Sequence, residues 1–334
     1  MSGLPVRGIN YDVGTAYVPG TLSRPEWDAA HAGEDLRVIA EELHCTAVCV
    51  FGTDIGRLSE AAELALERGL EVWIQPRFAE TGRARTLAHL EELSVAAENL
   101  RRRNPGKVTL SVGCELSIFM PGVVPGGRFP IRSVVLTVTW PLLLWVYNRR
   151  LNSHLRAAVT LARQHFHGPV SYGAGSWEGV DWTPFDLVGV NLYRDAGNHA
   201  RYTAELATLR GYGKPVVITE FGCCTYTGAD AKGANGDGIV NWRAARPKVK
   251  PGYTRNEQVQ ADYLAELLHL FDAENVHGAF VFEFAEPMYP HSPDPRHDLD
   301  MASYGIARTD PADPYAWEPK AAFHRLAGIY GRTG

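Results

Sequence analysis

The 334-residue sequence predicts an α/β fold, a single (β/α)8 barrel spanning residues 1–334. Three observations lead there. Eight short apolar runs alternate with longer helical patterns, which implies parallel strands joined by crossover helices. No Gly-x-Gly-x-x-Gly follows the first run, so the fingerprint of an open dinucleotide-binding sheet is missing. The longest connections, 116–145, 223–255 and 285–319, all follow strands 4, 7 and 8. In a barrel that is the face on which active sites are built.

The strand candidates are 6–11, 47–51, 71–75, 108–113, 170–173, 187–192, 216–219 and 279–284. Helical patterns occupy about 34–43, 58–68, 84–103, 146–165, 200–210, 256–273 and 320–330. In 58–68, Ala61, Leu64 and Ala65 recur at helical spacing while Glu60, Glu63 and Glu67 face elsewhere, and Gly69 follows as a stop. In 256–273 the apolar side is Val259, Tyr263, Leu264, Leu267 and Leu270. The connection 176–185 has room for only a turn of helix. The run 133–148 is the most apolar of the chain. It is shorter than the ~20 residues of a spanning helix and contains Pro141, so it predicts a buried or cleft-covering segment and no membrane span.

Composition narrows the function. The chain is 45% hydrophobic and 10% aromatic, which excludes disorder, and it is long enough to bury a large core without staples. Its net charge of −5, with no long run of like charge, excludes a generic nucleic-acid or anionic-membrane binder. Five cysteines, an odd number, form no disulfide framework, and no CxxC or HExxH spacing supports a metal. The opening MSGLPVRGINYDVG has no apolar leader core, so a cytoplasmic protein with reduced, buried thiols is expected. The glycine-rich 228–238 reads as a mobile loop without P-loop chemistry, and HSPDPRHDLD (291–300) as a solvated loop or polar rim.

Chemistry is sought at strand C-termini. The fourth run ends in Glu115, the seventh in Glu220, and the eighth carries Glu283. Alternation of side chains groups Thr109, Ser111, Gly113 and Glu115 on one face, and Val216, Ile218 and Glu220 on another. In the eighth run it groups Ala279, Val281 and Glu283 inward, with Phe280, Phe282 and Phe284 toward the helices. Three carboxylates therefore converge on one opening, with Arg77 as a candidate counter-charge. Like charges held together raise one another's pKa, and acid–base chemistry is the usual reason to build such a cluster.

At these residues the chain resembles a family. VITEFG (217–222) looks like the nucleophile strand of the retaining glycoside hydrolases of clan A, which are (β/α)8 barrels, and GVNLY (189–193) and GINY (8–11) are similar to other clan segments. The resemblance implies Glu115 as acid/base and Glu220 as nucleophile, with Tyr193 bonding the nucleophile. It also implies substrate contacts from Tyr11 and Asn191, alongside Arg77 and Glu283, and needs no cofactor. Retention requires two carboxyl groups about 5–5.5 Å apart. Loop aromatics Trp140, Trp145, Trp177, Trp182, Trp242 and Tyr289 are candidates for stacking on sugar rings. The chain departs from the clan at Cys114, where an Asn usually precedes the acid/base, and at Glu283, near a usual Trp. Two enzymatic readings follow. One is a retaining glycosidase for a small glycoside. The other applies the same carboxylates to lyase, cyclase or isomerase chemistry on an apolar small molecule, prompted by the apolar run 133–145. A barrel that binds without turnover is the third.

Overall fold

A computed structural model describes residues 3–17, 20–313 and 315–333. Met1 and Ser2, which open the segment read for a leader, lie outside them. Eight parallel strands close into a ring: β1 (Val6–Asp12), β2 (Ala47–Gly52), β3 (Glu71–Pro76), β4 (Val108–Cys114), β5 (Val170–Gly175), β6 (Val188–Asn191), β7 (Val216–Phe221) and β8 (Gly278–Val281). Each pairs with its sequence neighbour, and β1 closes on β8 through Val6↔Gly278 to Ile9↔Val281.

The jacket consists of α1 (Ala29–Glu41), α2 (Ile55–Glu67), α3 (Arg83–Arg103), the one-turn α4 (Leu116–Phe119), α5 (Phe129–His165), α6 (Tyr202–Leu209), α7 (Glu257–Ala273) and α8 (Ala321–Tyr330). Local chemistry sets their ends. Asp28 and Asp54 cap α1 and α2 by accepting from the amides of His31 and Arg57, and Asn256 caps α7 by accepting from that of Gln258. Gly69 leaves α2 at φ +82°, the left-handed turn its lack of a Cβ permits.

The ring is filled by its own side chains. Val6, Ala47, Cys49, Trp73, Val217 and Phe280 form a cluster drawn only from strands, separate from the larger core between strands and helices. Val216, Ile218, Ala279 and Val281 belong to the larger core. The expected phase of β7 and β8 is therefore reversed: Val217 and Phe280 point inward, and Val216 and Ile218 lie under the helices. Gly8 on β1 makes room for Phe280, whose ring would sit 2.2 Å from a Cβ there.

Three segments depart from expectation. The run 133–148 is buried only at Leu136 and Tyr147: it continues α5 unbroken through Pro141, with Val138 74% and Leu142 78% exposed. Among the described residues, α5 is the one helix long and apolar enough to cross a membrane. Yet buried Arg132 ties it to the protein through the Ile118 and Phe119 carbonyls and Glu80, while Tyr147, Leu151 and Leu155 seat its second half on the barrel. The glycine-rich 228–238 is pinned, with Tyr304 and Tyr226 hydroxyls bonded to the Gly233 and Gly236 backbone. In 291–300, Asp298 and Asp300 are buried and paired with Arg255, and Asp300 also with Lys320.

Candidate active site

The mouth is assembled from strand ends that obey different rules. β3 alternates without interruption: Trp73 and Gln75 face inward, and Arg77 follows one residue past the strand in the same phase. Its guanidinium lies 4.0 Å over the Phe51 ring, donates to Gln75 Oε1 at 2.6 Å and Tyr17 hydroxyl at 3.1 Å, and forms an ion pair with Glu220 Oε1.

β7 reaches the same ion pair through an irregularity. Its pairing with β6 runs Val190↔Ile218 and then Asn191↔Glu220, and its pairing with β8 also shifts there. One residue is gained, so Thr219, bonded at 2.7 Å to Asn191 Oδ1, and Glu220 both turn into the opening. Glu220 is 5% exposed. Besides Arg77 it accepts from the Tyr193 hydroxyl at 3.1 Å on Oε2 and from the Cys114 thiol at 3.5 Å on Oε1.

β4 is irregular as well. Its register against β5 shifts between Ser111 and Cys114, with Gly113 at φ +149°. Cys114 thereby faces the opening, and Glu115 follows at φ +43°, a left-handed conformation rare for a side chain of this size. Neighbouring bonds hold it: Glu115 amide to Gly173 carbonyl, Leu116 amide to Tyr172 hydroxyl, and Ser117 amide to Glu178. Glu178 in turn accepts from Tyr172 and the Gly175 amide, locking the ends of β4 and β5 together.

The two glutamates meet around Asn191. Its Nδ2 donates to Glu115 Oε1 at 3.0 Å and lies 3.4 Å from Cys114 Sγ, the sulfur that touches Glu220. Burial, then the charge of Glu220, pushes the Glu115 carboxyl up to about 8, against the Asn191 bond that favours its anion. Burial also pushes the Cys114 thiol well up, so it stands here as a neutral donor.

Glu283 enters the mouth floor by another route. Pairing of β8 ends at Val281, so alternation no longer governs it. It is 3% exposed, Oε2 has no partner, and burial, Glu286 and Asp12 hold its carboxyl well above the usual range. Arg77 and Arg24 act on it in the opposite sense.

Tyr11 is not in the site. Its hydroxyl donates to Asp35 on α1 at 2.8 Å, and its ring sits in the helix–strand core against Phe284. Alternation puts its neighbours Asn10 and Asp12 inward instead. Asn10 Nδ2 donates to the Thr219 carbonyl and Asp12 Oδ1 accepts from Gly14. Both were legible from β1, where Val6, Gly8, Asn10 and Asp12 share one face. The loop aromatics scatter: Trp182 is buried on Phe185, Trp177 bonds Ser117, and Trp145 is 67% exposed on the outer side of α5. Trp242 packs edge-on against Tyr289 in the loops after β7 and β8. All five cysteines are buried and unpaired. Among the described residues no group of three or more His, Cys, Asp or Glu is arranged to hold a metal ion.

No protein-family model matches the sequence, and no curated protein matches it. Solved structures do match in three dimensions. A GH113 β-1,4-mannanase superposes at TM-score 0.62 and 16% identity, covering 98% of both chains. A β-glucosidase superposes at 0.61 and 11% identity over 99% of this chain and 98% of its own. The fold is theirs. A β-glucuronidase from Ruminococcus gnavus matches 97% of this chain with 49% of its own, at TM-score 0.53 and 14% identity. This chain is therefore similar in architecture to whole glycosidases of its own length and to the barrel-sized part of a larger one.

Proposed function

We propose that the mouth hydrolyses a small β-linked glycoside by double displacement, with Glu220 attacking the anomeric carbon and Glu115 acting as acid and then base. The observation that carries this reading is the asymmetry of the two carboxyl groups. Glu220 is ion-paired with Arg77 and aimed by Tyr193. Glu115, linked to it through Asn191 and the Cys114 thiol, is the carboxyl raised to about 8, so near neutral pH it holds the proton a leaving oxygen needs. After the glycosyl–enzyme forms, the Glu220 charge is consumed, the Glu115 proton has gone to the aglycone, and Glu115 is ready to activate water. Asn191, Arg77 and Glu283 border the same space and suit sugar hydroxyls. The β-linkage follows the mannanase and β-glucosidase that share the fold.

The reading on an apolar substrate was prompted by the run 133–145 beside the cleft. With that run turned outward on α5, it loses its support. The test uses aryl β-glucosides and β-mannosides. Glu220→Gly should lose on the order of 10⁴-fold or more in kcat and regain turnover with azide, yielding a glycosyl azide. Wild-type turnover in that variant, or inversion at the anomeric carbon in wild-type product followed by NMR, overturns the proposal.

A further inference from the structure

The outer half of α5 is unlike the rest of the surface. Ile131, Val134, Val138, Leu142 and Trp145 are all exposed and recur at steps of three and four, so they line one face for about 21 Å. Contiguous apolar faces of this size mark interaction sites. On the same helical face the stripe continues into exposed Arg149 and, two turns on, Arg156, which pairs with Asp181. Six arginines and no Asp or Glu lie between Leu116 and Trp177. Arg132, Arg156 and Arg163 pair with Glu80, Asp181 and Asp186 from outside that stretch, and among the described residues Arg128, Arg149 and Arg150 have no carboxylate. The net charge of −5 therefore coexists with an apolar stripe bordered by arginines that no carboxylate neutralises.

A cavity of about 490 Å³ opens where the stripe ends. Arg83, Arg149, Arg150, Trp145, Ser153 and His154 line it. Among the described residues no carboxylate pairs with any of those three arginines, although Arg83 donates to the Ser153 carbonyl and Arg150 to that of Val123. His154 is 1% exposed, and neither ring nitrogen has a hydrogen-bond partner. A buried imidazole with both polar atoms unmet, beside three guanidinium groups that no carboxylate neutralises, is a place made for an anion with several oxygens.

We infer that this face docks the protein on an anionic phospholipid bilayer, with the stripe entering the headgroup boundary and a lipid phosphate held in the arginine cavity. The combination fits interfacial attachment: apolar residues and tryptophan on one face, arginines at its border, and an inner helix face fixed to the protein. The inference is independent of the glycosidase reading, because binding to membrane requires no turnover.

The test is co-sedimentation of the full chain with vesicles of phosphatidylcholine alone and with 30% phosphatidylglycerol, at low and high salt. Wild type should bind the anionic vesicles, and salt should weaken binding. Each basic residue near a charged surface is worth roughly fivefold in partitioning. Arg149→Glu should therefore lower it by fivefold or more, and Val138→Glu/Leu142→Glu should abolish it with circular dichroism unchanged. Three results overturn the inference: equal binding to both vesicle types, no vesicle binding with saturable uptake of inorganic phosphate, or a dimer in sedimentation velocity that Val138→Glu/Leu142→Glu dissociates while vesicles go unbound.

Discussion

Strands β3 and β7 bring Arg77 and Glu220 to one ion pair by opposite means. β3 is regular from Glu71 to Pro76, paired residue by residue with β2, and Arg77 falls inward because every second residue does. β7 gains a residue near its end, and only that shift turns Glu220 from the helix-facing phase into the mouth. β4 does the same for Cys114 and Glu115. The regular strand supplies the counter-charge and the irregular strands supply the two glutamates and the thiol. A bulge costs ladder hydrogen bonds, and it is tolerated where re-aiming a side chain matters more than pairing.

The comparison breaks first at Glu115, the residue whose backbone is most unusual. Glu115→Gln should lose about 10²–10⁴-fold in kcat on a glycoside with a poor leaving group, and far less on an activated aryl glycoside. The basic limb of the wild-type pH–rate profile should lie near 8 and vanish in the variant. Stability follows the same group. Its folded pKa of about 8 is above the ordinary 4.5, so the folded state binds the extra proton and stability falls as pH rises between those values. Urea denaturation at pH 5 and pH 9 should show a smaller drop for Glu115→Gln than for wild type. An equal drop would mean that Glu115 is ionised in the mouth and cannot be the acid.

Arg77 sharpens the regular side of the comparison. Arg77→Met removes the cation from a carboxylate that is 5% exposed, and breaking a buried pair from one side costs about 3–5 kcal/mol. The expected shift in urea midpoint should be partly reversed in Arg77→Met/Glu220→Gln, where no charge is left stranded. If the double variant is as unstable as the single, Arg77 acts through its stacking on Phe51.

Tyr193→Phe should have a smaller effect. It deletes one bond to Glu220 Oε2 and leaves the Arg77 pair and the thiol contact in place. A hydrogen bond to a charged group is worth about 1.5–3 kcal/mol, so roughly a 10- to 100-fold loss in kcat is expected, with KM nearly unchanged. A loss confined to KM would instead place Tyr193 on the substrate.

These differences explain what was legible in the sequence. The ring, its order and the strand ends that carry chemistry follow from patterning and length, which depend on burial along whole elements. Glu115, Glu220, Arg77, Asn191 and Tyr193, which the structure groups in one mouth, could be picked out because they are polar and stand where strands stop. The phase of β7 and β8 was not legible, because a one-residue shift leaves no mark in composition: Val216–Val217–Ile218 is apolar on both faces. The 133–148 run was misread for a related reason. Apolarity says that a surface prefers to leave water, and it does not say whether this chain or another phase covers it.

The smallest expected effect separates two adjacent residues of β1. Tyr11 and Asp12 point to opposite sides of a regular strand, one to Asp35 beneath α1 and the other to the mouth near Glu283. Tyr11→Phe removes one bond from Asp35, whose other oxygen still accepts from Trp317 at 2.8 Å. The cost should be about 1–3 kcal/mol in stability, with kcat and KM on aryl glycosides unchanged. Asp12→Asn removes a negative charge from beside Glu283 while keeping an acceptor for the Gly14 amide, so it should leave the fold intact and alter KM. Were Tyr11→Phe to lower kcat and Asp12→Asn to leave both constants untouched, the inward phase of β1 would be the wrong one. The mouth would then have to be rebuilt around the tyrosine.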